Sequence, residues 1–272
     1  MHPLEPIPTS TTPAGDLTND IRCILFDIYG TLFISGSGDI SLAGPNTPQM
    51  ERIEILLAKH ELHLTPRVLL DKFHETIKAR HKQLRNRGVD FPEVQIDWIW
   101  QQVLPAENPL NVKQFAVEFE FISNPVYPMP NLADLLAACR QKNLFMGIIS
   151  NAQFYTPWLF KWFLDSSPED LGFNPELVFY SYEFEMAKPS SELFAMAAQK
   201  LRGKGLSPSS VLYLGNDMLN DIFPAKNSGF QTALFAGDKR SLRLRTNDPR
   251  CRNLKPNLVV TDLGQLTNLI CK

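Results

Sequence analysis

The apolar run CILF (23–26) ends on Asp27, and the chain continues Ile28-Tyr29-Gly30-Thr31. A carboxylate at such a place can attack an electrophile, hold a cation or cap a turn. Polar residues close other apolar runs too: Ser150 and Asn151 at the end of LFMGIIS (144–150), Lys188 shortly after LVFYS (177–181), and Asn216-Asp217 after VLYLG (211–215), with Asp221 one helical turn on. Taken singly, each has a bland reading as turn chemistry, a helix cap or a solvated lysine. Taken in order, each at the end of its own strand, they bring a carboxylate, a hydroxyl, an ammonium and an acidic pair to one crevice.

The elements that would position them are legible as texture. Near-continuous apolar runs at 22–27, 144–150, 177–181, 211–215, 231–235 and 257–260 read as strands buried on both faces. Helical patterns at 131–142, 190–201, 220–229 and 261–270 lie between them. This alternation predicts an α/β fold, a Rossmann-like parallel sheet with helices on both faces, and in such sheets ligands bind at the carboxyl ends of the strands. Residues 46–124 break the pattern with long amphipathic helical stretches, which predicts an all-helical domain inserted between the first two strands. The expected core is therefore 21–45 together with 125–272. NPVYPMPN (124–131) reads as the linker back to the sheet, and the Pro-, Ser- and Thr-rich residues 1–20 read as a flexible tail.

A net charge of -2 over 272 residues gives no global reason to expect nucleic acid or an anionic membrane as partner. Four scattered cysteines form neither a zinc pair nor a disulfide framework, and the N-terminus lacks a basic start and an apolar core segment, so a cytoplasmic setting is expected. No stretch is apolar enough for a membrane helix. The basic stretches 78–87 and 238–255 read as solvated faces, although the second is long for a connection and could meet an anionic ligand. WIW (98–100) and FYTPWLFKWF (154–163) read as packing rather than a ligand cage, and no histidine falls in a motif. Nothing in the sequence sets the oligomeric state.

The ordered set resembles the haloacid dehalogenase-like hydrolases. Asp27 and Thr31 match the first motif of that superfamily, Ser150 the second, Lys188 the third, and Asp217-x-x-x-Asp221 the acidic last motif. The helical insertion looks like the helical cap of the family. The resemblance implies a hydrolase in which Asp27 is the nucleophile, Tyr29, Ser150 and Lys188 are catalytic with it, and Thr31, Ser150, Asn151 and Lys188 bind substrate. It also implies Mg2+ held by Asp27, the Tyr29 carbonyl, Asn216, Asp217 and Asp221, with a small phosphorylated molecule as substrate.

Tyr29 departs from the pattern. It stands where the superfamily has a second aspartate, the acid-base partner in phosphoryl transfer, and a phenol is a poor base at neutral pH. Asp-x-Tyr-Gly-Thr looks instead like the first motif of the 2-haloacid dehalogenases, which use no metal. That branch has a tyrosine six residues after the lysine, where this chain has Phe194, and only one aspartate in the last motif. The sequence leaves three readings: a slow magnesium-dependent phosphatase, a 2-haloacid dehalogenase, or a binding protein without turnover.

Overall fold

Along residues 23–26 every side chain is buried, but on alternate faces: Ile24 and Phe26 join one hydrophobic cluster, Cys23 and Leu25 another. A strand with two apolar faces must lie inside a sheet covered on both sides. The computed structural model, which describes residues 3–17, 20–37, 47–104 and 109–271, places it so. The main sheet runs β1 (Ala14–Gly15), β9 (Leu258–Val260), β8 (Gln231–Phe235), β7 (Val211–Gly215), β2 (Cys23–Phe26), β5 (Phe145–Ser150), β6 (Phe173–Tyr180). All neighbours are parallel except β1 against β9. Helices α5 (Leu132–Gln141) and α10 (Leu263–Cys271) contribute to the cluster on one face, and α8 (Glu192–Gly203) to the cluster on the other. Each Leu or Phe so buried contributes about 1.5–3 kcal/mol.

Helices α1 (Thr47–Lys59), α2 (Pro66–Asn86), α3 (Ile96–Val103) and α4 (Pro109–Ser123) form the insertion. It has its own core, in which Trp100 stacks on Phe73 at 4.3 Å and meets Phe115 and Phe119 edge-on. The WIW segment is thus mainly packing. The expected start of the insertion, near residue 46, lies outside the described residues.

Several details differ from the sequence reading. Residues 3–17, expected within a flexible tail, are laid along the molecule: four prolines hold the segment extended, so its backbone groups are free to pair outward. Thr9 Oγ1 donates to the Ala236 carbonyl at 2.7 Å, Lys239 N to that of Ile7 at 2.8 Å, and Asp16 N to that of Asn257 at 3.0 Å. The edge strand β1 makes the sheet mixed rather than wholly parallel. Within the linker 124–131, β4 (Val126–Pro128) pairs antiparallel with β3 (Phe33–Ser35). FYTPWLFKWF includes a helix, α6 (Thr156–Leu164), and α7 (Ser181–Phe184) is a further short one. The helix expected over 220–229 is a π turn (218–222) followed by α9 (Phe223–Asn227), because Pro224 cannot donate within a continuous helix.

Candidate active site

Strand β2 carries Asp27 just past its end, where Asp27 N still donates to the Leu214 carbonyl of β7 at 2.9 Å. The chain then turns at Gly30, whose φ is +81° and where a Cβ would stand 2.4 Å from Asn216 Nδ2 and from Ser241 Cβ. Only glycine fits both that backbone and that approach. The turn leaves Asp27 5 % exposed. Among the described residues its Oδ1 accepts from Ser150 Oγ at 2.9 Å and from Lys188 Nζ at 2.6 Å, and its Oδ2 only a longer bond from Thr31 Oγ1 at 3.3 Å. Three residues singled out in the sequence thus converge on one carboxylate.

Lys188 is shared. Its Nζ lies 2.6 Å from Asp221 Oδ1 and 3.1 Å from the hydroxyl of Tyr213, itself anchored on the Ile149 carbonyl at 2.8 Å. Burial alone would push Lys188 down, but Asp221 and Asp27 outweigh it and hold the ammonium above the usual lysine range. Asp221 also shifts upward, because burial and the neighbouring carboxylates together outweigh its single ammonium. Tyr213 had no signal in the sequence beyond its place in an apolar strand, yet its hydroxyl completes this network. Asn151, expected to bind substrate, grips the lysine loop: its Oδ1 accepts from Lys188 N at 2.8 Å. It places the ammonium by way of the backbone.

Asp217 is held differently. Leu219 N, Asn220 N and Asn220 Nδ2 donate to it, as in a helix cap, and Arg245 grips it with Nε at 3.1 Å from Oδ1 and Nη2 at 2.6 Å from Oδ2. The arginine comes from the basic stretch 238–255, which is zipped onto the acidic motif. Arg243 N donates to the Asn216 carbonyl at 3.0 Å, Met218 N to that of Arg243 at 2.9 Å, and Asn216 Nδ2 to that of Ser241 at 2.7 Å. The solvated-face reading therefore fails for Arg243 and Arg245, because this long connection folds back over the strand ends.

These pairings bear on magnesium. A divalent ion at the strand ends needs carboxylate oxygens with lone pairs to spare. Asp217 receives five N–H groups, Asp221 is engaged on both oxygens, and Asp27 Oδ1 is taken by Ser150 and Lys188. Among the described residues no three His, Cys, Asp or Glu side chains are grouped to hold a metal. So arranged, the acidic pair Asp217 and Asp221 does not fit a magnesium ion.

A cavity of about 860 Å³ opens between the strand ends and the insertion, lined by Asp27, Tyr29, Lys188, Asp217, Arg243 and Arg245 from below, and by side chains of α2, α3 and α4 from above. His74 and His81 are among the latter. Tyr29 lines it too, but its hydroxyl pairs with Thr156 Oγ1 at 2.9 Å, and burial followed by nearby Glu120 raises its pKa. The insertion is tied to the lysine loop: Ala187 N donates to the Phe91 carbonyl at 2.7 Å, and Glu93 N to that of Glu185 at 3.0 Å. Arg80 and Arg87, from the first basic stretch, pair with Glu185. Arg52 and Arg67 of the insertion are exposed and do not line the cavity.

Comparison with known proteins bears on the family and the fold. Phosphoglycolate phosphatase of Escherichia coli is 26% identical over 220 residues, covering 77% of this chain and 79% of its own. A 2-haloacid dehalogenase from Pseudomonas syringae and a phosphatase of the same superfamily from Thermococcus onnurineus each superpose with a TM-score of 0.56 at 16% identity, over 92% of this chain and 98% of theirs, a likeness of fold. Residues 21–229 match one family as a whole, a span that takes in Asp27, Ser150, Lys188, Asp217 and Asp221. With those side chains gathered at the ends of β2, β5 and β7 and in the loop after β6, the chain belongs to the haloacid dehalogenase-like hydrolases.

Proposed function

We propose that the protein hydrolyses a small phosphorylated molecule through an aspartyl phosphate on Asp27. The observation that carries this reading is the asymmetry of that carboxylate. Its Oδ1 is fixed by Ser150 and Lys188 while Oδ2, among the described residues, keeps only the long Thr31 bond, beside a cavity whose lining includes two arginines. In the first step an Asp27 oxygen bonds to phosphorus and the ester P–O bond breaks. In the second, water attacks the same phosphorus, releasing inorganic phosphate and the free carboxylate. Lys188 and Ser150 oppose the charge gathered on the phosphoryl oxygens. Tyr29 is committed to Thr156, so the leaving oxygen takes its proton from water, which favours acyl and aryl phosphates over alkyl ones. Magnesium is the cofactor that the resemblance implies, but Asp217 and Asp221 of its expected ligands are already paired, and the steps above do not pass through it.

A second reading is hydrolysis of a 2-haloacid, with Asp27 attacking carbon and halide leaving. The hydroxyl of Tyr29 favours it, since a departing halide needs no proton. The discriminating test is single turnover in heavy-oxygen water with aryl phosphates and 2-haloacids, followed by mass analysis of the Asp27 peptide. Phosphate release that vanishes in Asp27→Asn supports the first reading. Halide release with label in Asp27 supports the second, and neither product would leave a binding protein. The unpaired cysteines support a reducing, cytoplasmic setting.

A further inference from the structure

We infer that Arg245 is the resident cation of this crevice, occupying with its guanidinium the electrostatic place that a divalent ion would take beside Asp217. The inference rests on the reading of Asp27 as a nucleophile, but its evidence is separate. Three carboxylates, Asp27, Asp217 and Asp221, are buried within one set of strand ends, and burying that much negative charge requires compensation. Lys188 bridges two of them and Arg245 takes the third.

The arginine is built into place rather than draped over the surface. Residue 243 forms a parallel bridge with residue 217, and both backbone bonds of that bridge are present, so the register delivers residue 245 two positions further on. Arg245 itself adopts φ +51°, a left-handed backbone uncommon for any residue but glycine, asparagine or aspartate, held where the guanidinium meets the carboxylate along two N–H bonds. Planar two-point pairing with a carboxylate is what arginine does and lysine does not. Asp217 is 6 % exposed and its remaining acceptor capacity goes to the cap of the following turn. A magnesium ion would have to break the paired geometry to gain this carboxylate, and magnesium gives up its own water reluctantly. The stem of the segment is fastened in turn by the N-terminal residues, through Ile7 with Asp238 and Lys239, and Thr9 with Ala236. The crevice is therefore set to work with fixed side-chain charges.

Calorimetric titration of the chelator-treated full chain with magnesium chloride tests this without any substrate. The wild type is expected to give no saturable heat at millimolar magnesium and no rise in melting temperature. Arg245→Gln, which frees Asp217, is expected to gain both, and Asp217→Asn in that background to lose them again. Saturable binding by the wild type that Asp217→Asn removes overturns the inference, as does an Arg245→Gln variant that folds by circular dichroism and still binds no magnesium. If that variant does not fold, the wild-type titration alone decides. Phosphatase activity abolished by chelator would refute Arg245 as the resident cation while leaving Asp27 as nucleophile. Absent turnover with no magnesium binding would refute the phosphatase and leave the cation assignment standing.

Discussion

Lys188 and Asp27 meet at 2.6 Å with side chains only 3% and 7% exposed, and the same ammonium lies 2.6 Å from Asp221. One cation thus compensates two buried carboxylates. Removing it leaves both uncompensated, which for a broken buried pair costs about 3–5 kcal/mol. Lys188→Ala is expected to lose that much in denaturant titration and to lose turnover. Asp221→Asn in the same chain should recover part of the stability but none of the turnover. Full stability in Lys188→Ala alone would refute the pairing.

Tyr29 is expected to be dispensable for chemistry. If its phenol served as the acid, Tyr29→Phe would cost about 10² to 10⁴ in kcat. Because the hydroxyl is spent on Thr156, the expected change is less than ~10-fold, with about 1 kcal/mol lost in stability from the missing hydrogen bond. Steady-state rates with an aryl phosphate and a denaturant curve measure the two effects separately.

Glu118 clamps α4 to α1, accepting from Lys59 at 2.7 Å and pairing with His60 at 3.0 Å. Burial would raise this carboxyl, but Lys59, Gln114 and His60 together bring it down to about 2, against 4.5 for the free group. A depressed carboxylate stabilises the fold above its unfolded pKa and loses that contribution as pH falls through the folded one. Glu118→Gln is therefore expected to cost up to about 1 kcal/mol near neutrality, and the gap from wild type should narrow between pH 4.5 and about 2. Paired melting curves across that range check it, and a constant gap would count against the clamp.

Thiol chemistry offers a check on packing. Cys23 and Cys139 are buried, and burial pushes both thiols up to about 12; Cys251 is buried and raised as well, while Cys271 is exposed. A thiol reagent at neutral pH should modify Cys271 alone in the native protein and all four cysteines after unfolding. Rapid modification of Cys23 in the native state would contradict the covered centre of β2.

The core and half of the site were legible in the linear sequence because their signals are local. Buried parallel strands announce themselves as apolar runs, and residues just past their ends must face the same crevice. Asp27, Ser150, Lys188 and Asp221 follow from that rule, and the structure joins them within hydrogen-bonding distance. Short elements were not legible: β1 and β3 are only two and three residues long, too brief for any periodicity, and exist because a partner strand is near. Arg245 reaches Asp217 across 28 residues, and in sequence it is one charge in a basic stretch. Nothing in that composition tells a solvated arginine from one carried back over a strand end. Tyr213 likewise reads as one more apolar position in β7.

The sequence by itself determined the superfamily, and which carboxylate, hydroxyl and ammonium stand at the strand ends, because these depend on residue type at those positions. Only the tertiary structure decided which charges neutralise which. It assigned Lys188 to Asp27 and Asp221, gave Arg245 to Asp217, and turned the Tyr29 hydroxyl to Thr156. The physical reason is that ion pairing within a buried crevice depends on distance and desolvation, and both are settled by how loops far apart in the chain fold back on one another.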